Sequence, residues 1–200
     1  MSLDHILLGI LKEPASGYDI KQQFDQIFRH FWGADTSQIY RTLNRLEKDA
    51  KLESWTEPSD KGPDRRVYRA TEAGRESLLD WLHEGPIFGT EKFTYLAQVF
   101  FLGEANDLEW SERFFSGLRE ELGRTLEELE AGAAEWSQDP RYPDELPINE
   151  FHMQLTLDMG LHKTRALVAW VDKSLERIRA RQQSQTEGGD GDGHSLHVVS

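Results

Sequence analysis

The chain has 200 residues, no cysteine and a formal net charge of −13. That length suits one or two small domains with a sizeable core, and the missing thiols exclude disulfides, thiol catalysis and thiolate metal sites, in keeping with a reducing, cytoplasmic setting. No stretch approaches the roughly 18 apolar residues of a membrane span, the start Met1-Ser-Leu-Asp-His carries no basic leader segment, so no signal peptide is expected, and a polyanion is a poor blanket binder of nucleic acid.

The first helix has Leu3, Ile6, Leu7, Ile10 and Leu11 on one face and stops before Pro14. Ser16 starts a second, with Asp19 three residues on as a capping box. Its apolar face is Ile20, Phe24, Ile27, Phe28 and Phe31, and Gly33 is the expected C-cap. Asp35 or Thr36 caps a third helix, with Ile39, Leu43, Leu46 and Ala50 on one side. Two strands are expected at Lys51–Glu57 and Arg65–Thr71, around the turn-rich segment Pro58–Asp64. Thr71 caps a fourth helix bearing Leu78, Leu79 and Leu82. Trp32, Trp55 and Trp81 are read as core.

Gly85-Pro86, followed by Phe88-Gly89-Thr90, marks a domain boundary. Beyond it the chain reads as all-helical: a short apolar helix at Phe93–Leu102, then long helices at Asp107–Trp136 and Ile148–Arg181. Phe115, Leu118, Leu122, Leu126, Leu129, Ala133 and Trp136 recur in steps of three and four, a coiled-coil-like seam. The expected fold is mainly α: a winged helix-turn-helix over 1–85, an all-helical dimerisation and effector domain over 90–183, and a disordered tail over 184–200. Leu118, Leu122, Leu126, Leu167, Trp170 and Val171 are the expected homodimer interface.

Charge is segregated. Residues 36–71 hold eight basic and six acidic residues, whereas 86–200 hold 11 basic and 21 acidic. On a helical wheel, Ser37, Arg41, Asn44 and Lys48 lie opposite Ile39, Leu43 and Leu46, with Gln38 and Arg45 alongside and Tyr40 at the flank. These types read base edges and phosphates. Lys61, Arg65 and Arg66 make the hairpin a basic wing beside that helix. A polar helix face is also what simple solvation produces; the alternative function is a helical adaptor that binds no DNA and uses the C-terminal coiled coil. The net-basic segment 36–71 in an acidic chain favours DNA.

Nothing in the sequence supports an enzyme. There is no Gly-x-x-x-x-Gly-Lys loop, no Gly-x-Ser-x-Gly elbow and no His-Glu-x-x-His. His152 and His162 stand roughly 15 Å apart along one helix, too far to share a metal, so no metal or cofactor is expected. Phe93, Tyr95, Phe100, Phe101, His152 and Met153 either line an apolar effector cavity between the domains or are ordinary core.

Five segments in order carry a family resemblance: Ser16-Gly-Tyr-Asp-Ile-Lys21, Phe31-Trp32, Ser37-Gln-Ile-Tyr-Arg-Thr-Leu-Asn-Arg-Leu-Glu47, Arg66-Val-Tyr68 and Thr71-Glu-Ala-Gly-Arg75. The set resembles PadR-type transcriptional regulators over about residues 3–85. The C-terminal half is similar, by pattern more than motif, to the dimerisation domain of phenolic-acid-responsive members. The resemblance implies a homodimeric repressor, with Tyr18, Ser37, Gln38, Tyr40 and the wing at the operator and a small aromatic effector; pairing two such recognition helices about one DNA turn apart makes the expected operator an inverted repeat. Tyr18 also reads as an aromatic packed in the first turn of its helix. Two departures stand out: Arg41 where the family commonly has proline, and Asp49-Ala50 where it often has glycine.

Overall fold

The computed structural model describes residues 2–28, 31–58, 64–87 and 93–189. The chain forms two units, Met1–Glu91 and Lys92–Ser200. The expected boundary residues Phe88-Gly89-Thr90 lie outside the described residues.

The first unit runs α1 (Ser2–Ile10), β1 (Ala15–Ser16), α2 (Gly17–Gln23, widening into a π-helical turn over Phe24–Phe28), α3 (Thr36–Lys48), β2 (Leu52–Glu57), β3 (Arg65–Ala70) and α4 (Glu72–His83). The strands form an antiparallel sheet in the order β1-β3-β2, with Ser54 and Ala15 on either side of Tyr68. Local chemistry sets the helix starts. Ser16 accepts from the Asp19 amide, and the Asp19 carboxylate accepts from the Ser16 amide; Asp35 and Gln38 make the same reciprocal pair for α3. Leu7, Leu8, Leu11, Ile20, Phe24, Ile39, Leu43, Leu46, Leu52 and Tyr68 form the core. Each such aliphatic side chain contributes about 1.5–3 kcal/mol by leaving water.

Several expectations are corrected here. Gly33 does not take the left-handed conformation that a glycine C-cap needs. Leu78 packs on the core, but Leu79 and Leu82 are exposed. Trp32 packs partly buried against the core, and Trp55 and Trp81 are only half-buried. Ala50 is not part of the α3 core face: it is exposed, just past the helix end, at φ 56°. The Lys51 amide bonds the Leu46 carbonyl and the Ala50 amide bonds that of Glu47. This is a Schellman ending, whose left-handed position favours glycine. A Cβ there costs roughly 1–2 kcal/mol, so Ala50→Gly should raise stability by about 1 kcal/mol, read from denaturant unfolding.

His5 on α1 stacks flat on Trp81 of α4, ring centroids 4.8 Å apart, and its Nδ1 is buried without a hydrogen bond. Burial first, then the positive chain terminus, holds its pKa below the ordinary value. The unfolded chain therefore binds this proton more readily than the folded one. The stabilising neutral stack is complete above about pH 6.5 and is lost as pH falls below it. Melting temperature should drop more steeply below pH 6.5 in the wild type than in His5→Phe, which keeps an aromatic stack without the titration.

The second unit runs α5 (Thr94–Phe101), a 3-10 turn (Leu102–Ala105), α6 (Leu108–Ser137) and α7 (Ile148–Gly189). Asp107 caps α6 through the Trp110 amide. Ion pairs Glu112–Arg179, Arg119–Asp172 and Glu130–Arg165 climb α6 while descending α7, so the two helices are antiparallel. Phe115, Val171 and Leu175 form the seam, with Leu118, Leu122, Trp170 and Ile178 packed on it. α7 continues past Arg181 to Gly189, through part of the expected tail, because no helix breaker occurs before Gly188-Gly189. Residues 190–200 lie outside the described residues.

Candidate nucleic-acid interface

α3 turns Ile39, Leu43 and Leu46 into the core and leaves Ser37, Gln38, Tyr40, Arg41, Asn44 and Lys48 exposed on the other faces. Arg41 and Lys48 have no ion-pair partner among the described residues, so their charge is available to a ligand. Gln38 is half committed: its Oε1 accepts from the Asp35 amide at 3.1 Å. Arg45, by contrast, is paired to Asp4 of α1. Leu3, Trp32, Gly33, Gln38, Arg41, Thr42 and Arg45 line an open cavity of about 500 Å³ along this side of α3.

Tyr18 is 76% exposed in the first turn of α2, so it is no core aromatic. Its neighbour Gly17 makes room for Tyr40: a Cβ on Gly17 would stand 2.2 Å from the Tyr40 hydroxyl oxygen. Gly17 thereby lets the start of α2, which carries Tyr18, lie close against Tyr40 of α3. Sequence reasoning quoted Gly17 in a motif but missed this steric role, because the contact joins residues distant in sequence.

The wing differs more from expectation. Arg65 pairs with Glu57 across the hairpin at 3.0 Å. Arg66 donates through Nη2 to both Glu47 oxygens, at 2.7 and 2.6 Å, and through Nε to Ser54 Oγ at 2.9 Å. Ser54 in turn donates to Glu47 at 2.5 Å. The Arg66 guanidinium lies over the Tyr68 ring, 5.2 Å from its centre. The Ser54 hydroxyl, foremost, and Arg66 hold the Glu47 carboxyl below the usual carboxylate range. Both wing arginines are thus charge-balanced within the fold, and Lys61 lies outside the described residues.

In the second unit, Phe93 sits under the Lys163 ammonium, 5.1 Å from its ring centre. Phe100 and Met153 are exposed, and His152 Nδ1 lies 2.7 Å from the Ile148 carbonyl oxygen. A cavity of about 620 Å³ in this unit is lined by Leu108, Phe115, Ser174, Arg177, Ile178, Ala180, Arg181 and Ser184, and includes none of those four. Val171, expected at a dimer interface, is 0% exposed and presents no surface to a partner. Leu118, Leu122 and Trp170 pack on the same internal seam, and Leu126 and Leu167 are half-buried. A three-four apolar repeat does not specify whether its partner helix belongs to the same chain.

Residues 6–90 match the model of the "Transcriptional regulator PadR-like family". The Mycobacterium tuberculosis "Probable transcriptional regulator Rv1176c" is 27% identical over 192 residues, 91% of this chain and 100% of that protein. "Transcriptional regulator Rv3488" of the same organism is 38% identical over 76 residues, 38% of this chain and 67% of its own length. Among solved structures, Bacillus subtilis PadR in complex with operator DNA is 27% identical, covers 89% of this chain and 99% of its own, and superposes with a TM-score of 0.70. The same protein with p-coumaric acid gives 25%, 88%, 95% and 0.64. Residue motifs, winged helical fold and full-length relatives agree: the chain belongs to the PadR-like family of transcriptional regulators, which are not enzymes.

Proposed function

We propose that the chain is a cytoplasmic homodimeric repressor that reads double-stranded operator DNA with α3 and the adjoining wing. One observation carries the reading: the exposed face of α3 offers Ser37, Arg41, Asn44 and Lys48, with neither cation in an ion pair among the described residues, in a net-basic segment, 36–71, of an acidic protein. Arg41 serves base edges and Lys48 serves phosphate. Tyr18 and Tyr40 flank them, and Gln38 and Lys61 extend the contact. The likeness to PadR in complex with operator DNA supports DNA as the ligand. Arg41→Ala should weaken operator binding by about 1–3 kcal/mol and relax one base position. Lys48→Ala should weaken all sequences alike and lower the salt slope by about one. Fluorescence anisotropy on DNA upstream of the gene, from 50 to 300 mM salt as a general titration range, measures both; unchanged binding in both variants removes the assignment.

A second copy fits an apolar stripe that the protomer leaves bare. Ile148, Phe151, Leu155 and Met159 fall on one face of α7 and are 39–69% exposed. Pairing through it would double the basic surface and present two recognition helices to an inverted repeat, half-sites roughly 34–36 Å apart. A small aromatic acid is the proposed releasing effector, supported by the PadR structure with p-coumaric acid. Phe93, Phe100, His152 and Met153 remain its candidate contacts. Release requires that the effector bind the DNA-free arrangement more tightly; operator affinity unchanged at saturating p-coumaric acid would remove that ligand from the reading.

A further inference from the structure

Glu47 and Arg66 occupy the junction between the recognition helix and the wing. Glu47 is in the last turn of α3, one residue before Lys48; Ser54 is on β2 and Arg66 on β3. The four bonds among the three side chains close a ring that spans all three elements. Two of the three Arg66 guanidinium nitrogens, Nε and Nη2, are engaged inside it, and the guanidinium is further held over Tyr68, a buried core residue of β3. The Nε–Nη2 edge of the planar guanidinium bonds two different side chains, Ser54 through Nε and Glu47 through Nη2, and so fixes orientation as well as distance.

We propose that Glu47 and Arg66 are positioning residues that set the angle of the wing against the recognition helix, and that Arg66 is not itself a phosphate contact. The inference rests on the DNA-binding reading above and refines it. An acidic residue beside Lys48 on a DNA face would otherwise only repel phosphate. Its place in the Ser54–Arg66 network makes sense where geometry outweighs that repulsion. With the pair intact, the hairpin and α3 approach the duplex as one rigid body. Without it, the strands still meet α3 through the turn at Asp49–Lys51 and the shared core of Leu43, Leu46, Leu52 and Tyr68, but the hairpin loses its polar tie to the last turn of α3.

The two views of Glu47 predict opposite signs. As an electrostatic brake, its neutralisation in Glu47→Gln tightens DNA binding. As a strut, Glu47→Gln weakens operator binding by about three- to tenfold while non-specific binding stays the same or rises. Arg66→Ala should lower operator affinity comparably with no change in salt slope. A phosphate contact would instead lower the slope by about one. Arg66→Lys keeps the charge but not the fork, and should behave like Arg66→Ala. The exchanged pair Glu47→Arg with Arg66→Glu should recover part of the operator affinity. Circular dichroism melts identify any variant that fails to fold, and the exposed Arg66→Lys then carries the comparison. Tighter operator binding by Glu47→Gln, or a reduced slope in Arg66→Ala, overturns the proposal while leaving the Arg41 and Lys48 assignments standing. A wild-type chain that binds no DNA overturns both.

Discussion

Gly74→Ala should leave the N-terminal unit largely unfolded at temperatures where the wild type is native. A Cβ at this position would stand 2.1 Å from the Lys51 carbonyl oxygen and 2.9 Å from Leu8 Cδ2. The first of these is backbone, so no side chain can rotate away. The same carbonyl accepts from the Thr71 amide at 3.1 Å, and the Thr71 hydroxyl donates to the Ala50 carbonyl at 2.8 Å. These two bonds tie the end of α3 to the start of α4. Relieving the clash moves α4 away from that turn and from Leu8, which is almost wholly buried. Overpacking costs about 1–3 kcal/mol, and the two strained hydrogen bonds add about 1 kcal/mol each. A loss of about 3–5 kcal/mol is a large share of the about 5–15 kcal/mol that holds a typical domain. At about 4–8 °C per kcal/mol for a unit of this size, the thermal midpoint should fall by more than about 12 °C. A shift within a few degrees would show that α4 tolerates displacement.

Leu155→Glu should convert the protein from dimer to monomer and reduce operator affinity by about a hundredfold or more. Leu155 is the middle of the α7 stripe and is already 46% exposed in the protomer. The substitution therefore removes little packing from the fold itself, and the melting temperature of a protomer should change little. In a dimer, the new carboxylate would be buried at the interface centre without a partner, which costs several kcal/mol. Losing the second DNA-binding unit forfeits the avidity of two tethered sites, about 10²–10⁴. Sedimentation velocity measures the mass, and anisotropy on the same sample measures the affinity. A dimer that survives Leu155→Glu would place the second copy elsewhere.

The N-terminal unit was legible wherever the determining chemistry is local. Ser16 with Asp19 and Asp35 with Gln38 are three residues apart, and both capping boxes form. The core face of α3 follows from period alone. What escaped is set by contacts between distant residues. The two-residue strand Ala15–Ser16 exists because it pairs with Val67 and Tyr68, and two residues carry no period of their own. Ala50 was assigned to the α3 face because periodicity does not show where a helix stops, and the Schellman turn here lacks its usual glycine. Arg65 and Arg66 read as a basic wing because neither Glu57 nor Glu47 advertises its partner in sequence. Val171 read as an interface residue for a related reason: an apolar arc on a long helix leaves the identity of the facing helix open. The site on α3 was legible as a polar face, whereas which of its cations are free emerged only from the structure.

If two copies of the α3 face read one operator, footprinting on the DNA upstream of the gene will show it. Protection should have two-fold symmetry, with half-site centres roughly ten base pairs or a multiple apart, and should be lost in both Arg41→Ala and Leu155→Glu at concentrations where the wild type saturates. A protected site without two-fold symmetry, or one that both variants protect as well as the wild type, would contradict it.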